Sequence, residues 1–406
     1  MYIGVGSNLG NRLAYLRAAV DALSRVLLDL RHSAVYETAP VGGPPQPPYL
    51  NLVVEGRTDL DPWSLLDRLQ AIENACGRVR AVRFGPRTLD LDLLWYGGRH
   101  FSDARLTVPH PRMFERRFVL EPLRDLGVEL PGPPVAEAVW RQPVIQLGHW
   151  GPDPATAEAW RAALKTRWVG QTLEYHRVLD STNERLRQWQ AAGAPAGAAV
   201  VAQAQTDGRG RRGKSWGVQP GEGLATSFLL PLDPLPASGL WSLMAGVAVA
   251  SAIEAQYALA PGLKWPNDVL LDGRKVGGIL IQTAGRFAVT GIGLNVQGQA
   301  LPEWGEATSL EVATGRRLPL KEVWAAVALA LEQWVEAWVR GGRDQILEAW
   351  RRYSVTLNRP VTVLGPSGPI AGWAEGIDGE GALWVNADGR RLRVTAGEVS
   401  LRHRDG

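Results

Sequence analysis

The chain opens on an apolar run, Met1 to Val5, which predicts a strand ending in the turn Gly6-Ser7-Asn8-Leu9-Gly10. Leu13, Leu16, Val20, Leu23, Leu27 and Leu30 then recur at helical spacing. Ala34 to Thr38 and Leu50 to Gly56 read as strands, separated by a proline-rich loop from Pro40 to Pro48. A second helix is predicted from Pro62 to Cys76, with Trp63, Leu66, Leu69 and Ile72 on its apolar side and Gly77 as its stop. Beyond it, Leu89-Asp90-Leu91-Asp92-Leu93 alternates strictly, so both aspartates project from one face of a strand, roughly 6–7 Å apart.

From Gly148 to Pro154 periodicity stops, and residues 149–156 read as a linker between a first domain, 1–148, and the remainder of the chain. Ala157 to Val169 is helical in pattern, and the polar run Asp180-Ser181-Thr182-Asn183-Glu184 opens a further helix. Ala198 to Ala202 predicts a buried strand, and small apolar residues from Leu240 to Ala258 predict a helix. Two hairpins come next, one through Asp272-Gly273 and one through Ala284-Gly285, which implies an antiparallel sheet. Short strands from Val361 to Leu401, separated by Gly- and Asp-rich turns, close the chain.

With 406 residues the chain has room for two or three domains. Its 45% hydrophobic and 21% charged content is that of a globular protein with ample core. A formal charge of +3 is small for this length and argues against nucleic-acid binding by the molecule as a whole. Cys76 is the only cysteine, so intrachain disulfides and cysteine-based metal sites are excluded. No signal-peptide pattern and no apolar run long enough to span a bilayer is visible, and the expectation is a cytoplasmic protein with no membrane partner.

Two stretches carry chemistry. In the first, Arg78, Arg80, Arg83 and Arg87 precede Asp90 and Asp92. Two carboxylates on one strand face are costly unless a cation lies between them, and Mg²⁺ takes one or two carboxylates plus substrate phosphates. The bland alternative is a solvated strand face. In the second, Gly208-Arg209-Gly210-Arg211-Arg212-Gly213-Lys214-Ser215-Trp216 crowds four cations into nine residues. Such a loop suits closure over phosphate or carboxylate, which guanidinium grips bidentately. A solvated loop or an RNA-binding segment fits the same composition.

The run Arg83-Phe84-Gly85-Pro86-Arg87-Thr88-Leu89-Asp90-Leu91-Asp92 resembles the signature of 6-hydroxymethyl-7,8-dihydropterin pyrophosphokinases. The likeness extends from Gly6-Ser7-Asn8 through Tyr49-Leu50-Asn51 and Gln70-Ala71-Ile72-Glu73 to Leu106-Thr107-Val108-Pro109-His110-Pro111 and Arg116-Arg117-Phe118. The resemblance implies a ferredoxin-like α/β domain that moves a pyrophosphoryl group from ATP to the pterin's hydroxymethyl oxygen. It assigns Asp90 and Asp92 to two Mg²⁺ ions, and Arg78 and Arg87 to catalysis. Thr38, Tyr49, Asn51 and Phe118 are assigned to the pterin, and Gln70, Glu73, Arg80, Arg83, His110 and Arg116 to ATP. Phe84 stands where many members carry tryptophan, and the arginine loop is short.

Asp180-Ser181-Thr182-Asn183, the loop from Gly208 to Trp216, Lys264-Trp265-Pro266-Asn267-Asp268, Arg274-Lys275-Val276-Gly277-Gly278-Ile279-Leu280 and Gly291-Ile292-Gly293-Leu294-Asn295 together resemble biotin–protein ligases. This implies a catalytic domain over 157–352, related to class II aminoacyl-tRNA synthetases, and an SH3-like barrel over 353–406. By the resemblance Ser181, Thr182, Asn183 and Gln205 bind biotin together with Arg209, Gly210, Arg211 and Lys275. Arg209, Arg211 and Lys275 also act in catalysis, while Trp216, Lys264, Asn267 and Asn295 serve ATP.

The whole chain is therefore expected to be α+β and to join two ATP-dependent enzymes of different vitamin pathways. The implied partners are the pterin, biotin and a biotin carboxyl carrier domain, with no nucleic acid, and a homodimer formed through sheet edges. The competing readings keep only the ligase half active beside a scaffold, or make the second half a biotin-sensing regulator.

Overall fold

The computed structural model describes residues 1–78, 85–129, 131–214, 216–217, 219–232, 238–298, 307–365, 368–395 and 397–400, with residues 212, 238, 365 and 398 described by their backbone alone. Arg80, Arg83, Phe84 and the length of the arginine loop lie outside the described residues. The chain divides into two compact units, Met1–Gly151 with Arg177–Asp180, and Pro152–His176 with Ser181–Gly406.

The first unit runs β1 (Tyr2–Ser7), α1 (Arg12–Leu23), β2 (Leu28–His32), β3 (Val35–Thr38), β4 (Tyr49–Arg57), α2 (Pro62–Ala75) and β5 (Asp90–Trp95). The short hairpin β6 (Phe101–Ser102) and β7 (Thr107–Val108) comes next, then α3 (Arg117–Asp125), α4 (Glu137–Trp140) and β8 (Val144–Gly148). The sheet order is β5-β1-β4-β3-β8, with β2 also on β4. Counting β2 and β3, which both pair with β4, as one interrupted strand, its β-α-β-β-α-β core is the ferredoxin-like succession. The first helix ends earlier than the leucine spacing predicts. Leu27 and Leu30 lie beyond α1, and Leu28–His32 is a strand paired with β4, with Leu28 itself 60% exposed. Asp29 adopts φ 50°, incompatible with a continuing helix. Asp61 caps α2 by accepting the N–H of Trp63 and Ser64, and Pro62 occupies the first turn, where a missing N–H costs nothing.

The second unit contains α5 (Pro154–Arg161), the start of β9 (Leu173–Leu179, its last three residues falling in the first unit), α6 (Thr182–Ala191), β10 (Ala199–Gln205), β11 (Gly223–Pro231), α7 (Ser238–Tyr257), β12 (Pro261–Lys264), β13 (Asp268–Leu271), β14 (Arg274–Ala284) and β15 (Phe287–Asn295). These give a seven-stranded sheet ordered β12-β13-β14-β15-β11-β10-β9. The pairings that build its centre are antiparallel, as the hairpins predict. α5 starts within the predicted linker, at the Asp153 cap, and stops well short of Val169. After it the chain tightens into i→i−3 turns at Ala163 and Leu164, and the buried Glu332 carboxylate then takes the N–H groups of Arg167, Trp168 and Val169, so these residues do not continue the helix. Trp150, also within the predicted linker, stacks on His32 inside the first unit, with ring centroids 4.2 Å apart.

α7 is buried on nearly every face from Leu240 to Ile253, which forms the centre of the core, and only its last turn, with Ala255 and Gln256, is exposed. Against it pack α9 (Leu320–Val339) and α10 (Arg343–Tyr353), which come after the short α8 (Leu310–Thr314). The chain then forms β16 (Arg359–Gly365), β17 (Gly368–Ile377), β18 (Leu383–Ala387), β19 (Arg390–Val394) and β20 (Glu398–Ser400), in the order β19-β18-β17-β16-β20. Val361, Val363, Leu383 and Val385 of this small β domain join the same core cluster as α7. Trp265 ties the two parts together, donating its backbone N–H to Thr356 Oγ1 at 2.8 Å and its indole Nε1–H to Gly381 O at 3.0 Å.

Candidate active sites

One cavity in each unit gathers most of the polar residues singled out in the sequence. In the first unit, β5 carries Asp90 and Asp92 on one face, and β1 sets Gly6 opposite Asp90 and Gly4 opposite Asp92. β4 sets Asn51 on the far side of Gly6. A Cβ on Gly6 would stand 3.1 Å from Asn51 Oδ1, a tight contact that would press on that amide. Asn51 is buried and donates from Nδ2 to Thr38 Oγ1 at 2.8 Å. Tyr49 and Phe118 line the same cavity, with His110 and Arg116. The Arg116 guanidinium lies 5.4 Å from the Phe118 ring centroid.

Asp90 is gripped by two arginines, Arg87 and Arg78, the latter with Nη2 2.7 Å from Oδ1. Glu73, 2% exposed, accepts the Leu91 N–H at 2.8 Å and pairs with Arg78. Glu73 and Arg78 therefore brace Asp90 from behind rather than line the cavity, and Gln70 does not line it either. Burial, then the neighbouring Asp90 charge, pushes the Asp92 carboxyl above its ordinary range, while Arg116 at 3.7 Å pulls it back. Burial, reinforced by Arg116 and Arg112, lowers the His110 imidazole to about 4. No group of three or more His, Cys, Asp or Glu able to hold a metal occurs among the described residues. Two carboxylates facing one cavity still fit a Mg²⁺ whose remaining ligands are phosphate oxygens and water.

In the second unit the Gly/Arg loop folds back on itself. Gly210 N–H donates to Lys214 O at 2.6 Å and Trp216 N–H to Gly208 O at 2.7 Å. A Cβ on Gly208 would stand 2.1 Å from Trp216 O, and one on Gly293 of β15 would stand 2.3 Å from the Trp216 ring. The indole thereby packs close against bare backbone, its Nε1 buried without a hydrogen-bond partner among the described residues. Lys275 Nζ lies 2.6 Å from Asp268 Oδ1 and 5.9 Å from the Trp216 ring centroid. Arg211 reaches Asn267 Oδ1 at 3.4 Å, and Arg209 turns to Asp207 at the rim.

Across this cavity α6 begins. Ser181 is its N-cap by backbone geometry, yet its hydroxyl makes no capping bond. Instead the Thr182 N–H donates to Gln205 Oε1 at 2.8 Å. Ser181, Thr182, Asn183, Gln205, Arg209, Gly210, Arg211, Trp216, Asn267 and Lys275 all line one cavity, as does Gly397 of the small β domain. Four cations (Arg209, Arg211, Lys214 and Lys275, the last paired with Asp268) and a strip of neutral hydrogen-bonding groups so placed suit a ligand with an anionic end and a polar, uncharged end.

Residues 2–128 match the family model of the 7,8-dihydro-6-hydroxymethylpterin-pyrophosphokinases. Residues 175–298 match the biotin/lipoate A/B protein ligase family and residues 356–402 the biotin protein ligase C-terminal domain. A 2-amino-4-hydroxy-6-hydroxymethyldihydropteridine pyrophosphokinase of Bacillus subtilis is 48% identical over 127 residues, 31% of this chain and 76% of the relative. The bifunctional ligase/repressor BirA of the same organism is 33% identical over 292 residues, 70% of this chain and 87% of the relative. The chain belongs to both families. A solved biotin protein ligase from Aquifex aeolicus, in complex with biotin and ATP, is 31% identical with a TM-score of 0.52, covering 57% of this chain and 99% of that one. The chain is thus a bifunctional enzyme, a hydroxymethyldihydropterin pyrophosphokinase joined to a biotin–protein ligase. No helix among the described residues is long and apolar enough to cross a membrane.

Within the ligase half, Lys264 and Asn295 stand apart from the cavity lining. Lys264 sits on β12 opposite Asp268, and Asn295 is buried, donating to Thr308 O at 3.0 Å. Four residues escaped the sequence reading. Gln46 and Arg112 line the kinase cavity, Asp268 holds Lys275, and Ser227 lies beneath the ligase cavity. A signal for Ser227 existed: Thr226-Ser227 places two hydroxyls inside an otherwise apolar, fully buried strand.

Proposed function

We propose that the kinase half transfers the β,γ-pyrophosphoryl group of ATP to the hydroxymethyl oxygen of 6-hydroxymethyl-7,8-dihydropterin, releasing AMP. Asn51 and Thr38 hydrogen-bond the pterin edge while Tyr49 and Phe118 pack on its rings. Arg87, with Arg78 behind it, neutralises charge on the transferring group, and His110 and Arg116 hold ATP. Asp90 and Asp92 would hold two Mg²⁺ ions, which when bound neutralise phosphate charge. Positioning and electrostatics are what such a transfer needs from a protein. With Nδ1 accepting the Arg112 N–H at 3.2 Å, the neutral His110 ring carries its proton on Nε2, a donor for an acceptor on adenine or ribose.

In the ligase half, the biotin carboxylate attacks the α-phosphate of ATP, expelling pyrophosphate and leaving biotinyl-AMP. A lysine amine on a biotin carboxyl carrier domain then attacks the acyl carbon, and AMP departs. Thr182, Gln205, Ser181 and Asn183 bind the neutral ring end of biotin. Arg209, Arg211 and Lys275 gather its carboxylate and the α-phosphate, Trp216 covers adenine, and Asn267 serves the triphosphate side. The observation that carries this reading is the convergence of Arg211 and Lys275 with Thr182 and Gln205 around one cavity.

The proposed domain limits are 1–148, 157–352 and 353–406, in a cytoplasmic protein. Homodimerisation is tested by sedimentation at micromolar concentration with and without biotin; a strict monomer in both would exclude it. For the chemistry, ATP and Mg²⁺ are supplied with either the pterin or biotin, and AMP and free pyrophosphate are measured. The pterin reaction should release AMP alone, and biotin adenylation should release pyrophosphate. Asp92→Ala should abolish only the first and Lys275→Ala only the second. A wild-type chain silent with one substrate would sink that half of the reading.

A further inference from the structure

Ser227 lies at the centre of β11, paired with Val200 of β10 on one side and Gly291 of β15 on the other. It is fully buried, and its Oγ stands 2.8 Å from Thr182 Oγ1 and 2.6 Å from Asn183 Oδ1. A serine hydroxyl has one proton, so the direction of these bonds can be worked out from their neighbours. Asn183 Nδ2 donates to Leu280 O at 3.3 Å and to Gln282 Oε1 at 3.1 Å, which turns Oδ1, an acceptor only, toward Ser227. The Ser227 proton therefore goes to Asn183, and Ser227 is left to accept.

Thr182 stands next in the chain of bonds. Its hydroxyl has two acceptors inside the protein, Ser227 Oγ at 2.8 Å and Gln205 Oε1 at 3.2 Å. Gln205 Oε1 is itself fixed in place by the Thr182 N–H at 2.8 Å. The Gln205 amide nitrogen, which has no partner among the described residues, is consequently the half of that side chain left for the cavity it lines. With its proton spent inward, Thr182 offers the cavity a lone pair, and Gln205 beside it offers an N–H.

We propose that Ser227 is a positioning residue that sets this polarity, so that the neutral end of the cavity selects a cyclic urea. Such a ring presents an N–H donor next to a C=O acceptor, the complement of Thr182 and Gln205. Gly291 is part of the device, because a Cβ there would fall 2.2 Å from Asn183 Oδ1 and push Asn183 off Ser227. The inference rests on the biotin–ligase reading of this site and goes beyond it by assigning a residue that touches no substrate. Without the Ser227 hydroxyl, Asn183 Oδ1 loses its donor and the Thr182 proton keeps only its longer acceptor, Gln205 Oε1 at 3.2 Å, so it is held inward less firmly and can turn toward the cavity.

The test compares full-length wild type with Ser227→Ala and Ser227→Cys in biotin-dependent pyrophosphate release. Biotin is run against a biotin methylated on its ureido nitrogens. Ser227→Ala should raise the KM for biotin roughly tenfold to a hundredfold, the range for a buried polar group left unpaired, with kcat changed far less. Its kcat/KM preference for biotin over the methylated analogue should fall by a similar factor. That ratio does not depend on how much of a variant preparation is folded. Ser227→Cys fills the space with a weak donor and should behave like alanine. A cysteine variant with wild-type preference would show that volume matters rather than the proton, and would overturn the inference. So would an unchanged preference in Ser227→Ala beside an active wild type. A wild type that releases no pyrophosphate with biotin would instead bring down the ligase reading, and the inference with it.

Discussion

Asp90 and Asn51 stand in one cross-strand row of the kinase sheet, on β5 and β4, with only Gly6 of β1 between them. The row puts the carboxylate assigned to metal and the amide assigned to pterin two strand spacings apart, about 10 Å. That is a span over which an alcohol and a polyphosphate can meet. A Gly6→Ala variant inserts a methyl group 3.1 Å from Asn51 Oδ1. It is expected to lower pyrophosphoryl transfer roughly tenfold or more, as misplacement of a bound reactant does. Biotin adenylation by the same preparation should be unchanged, and steady-state assays of both reactions check this.

Glu73 is expected to act on the kinase reaction through structure. Its buried carboxylate holds both the Leu91 N–H and Arg78. Glu73→Ala leaves the Leu91 N–H without its acceptor and takes from Arg78 one of its two carboxylates, Asp90 remaining as the other, at a cost of about 1–3 kcal/mol. Thermal unfolding should show the loss, and a variant as stable as wild type would return Glu73 to direct ATP contact.

Asp268 is expected to hold Lys275 for the adenylation step. Asp268→Asn keeps the shape but removes the charge opposite Nζ, 2.6 Å away. Pyrophosphate release with biotin should fall roughly tenfold to a hundredfold, the scale of a charged hydrogen bond of about 1.5–3 kcal/mol. Single-turnover assays should place the loss before biotinyl-AMP. Transfer from purified biotinyl-AMP to a carrier domain should be less affected.

His110 sets a pH expectation. Its imidazole is lowered to about 4 by burial, then by Arg116 and Arg112, against about 6.5 in an unfolded chain. The folded state therefore resists protonation: whatever stability this site confers is complete above pH 6.5 and is lost as pH falls from there toward 4. Kinase pH profiles should show no step near 6.5 that vanishes in His110→Gln. Histidine NMR should place the His110 titration near 4, and a resonance titrating at 6.5 would contradict this geometry.

Much of the kinase site was legible because its residues act through local alternation. Asp90 and Asp92 share a face by the period of a strand, which sequence reports directly. What alternation could not report was that Glu73, eighteen residues earlier on α2, spends its carboxylate on Leu91 and Arg78. The leucine spacing likewise carried the first helix too far, since apolar periodicity does not register that Asp29 takes a left-handed backbone turn. In the ligase half, the hairpin at Asp272-Gly273 was visible in its turn chemistry, and both residues do adopt positive φ.

Which two chemistries the chain carries can be read along the chain alone, because both depend on short runs whose residue types have few other uses. So can the paired carboxylates of β5, the cationic loop from Gly208 to Trp216, and the antiparallel character of the second sheet. Which polar groups face the cavities and which serve behind them emerges only once the strands are assembled. Lys264 and Asn295 are set apart from the ligase cavity, while Ser227, unremarked within an apolar strand, lies against Thr182 and Asn183. The reason is physical: a hydrogen bond's direction is fixed by the other bonds its partners make. Those partners, Leu280, Gln282 and Gln205, come from strands far apart in the chain.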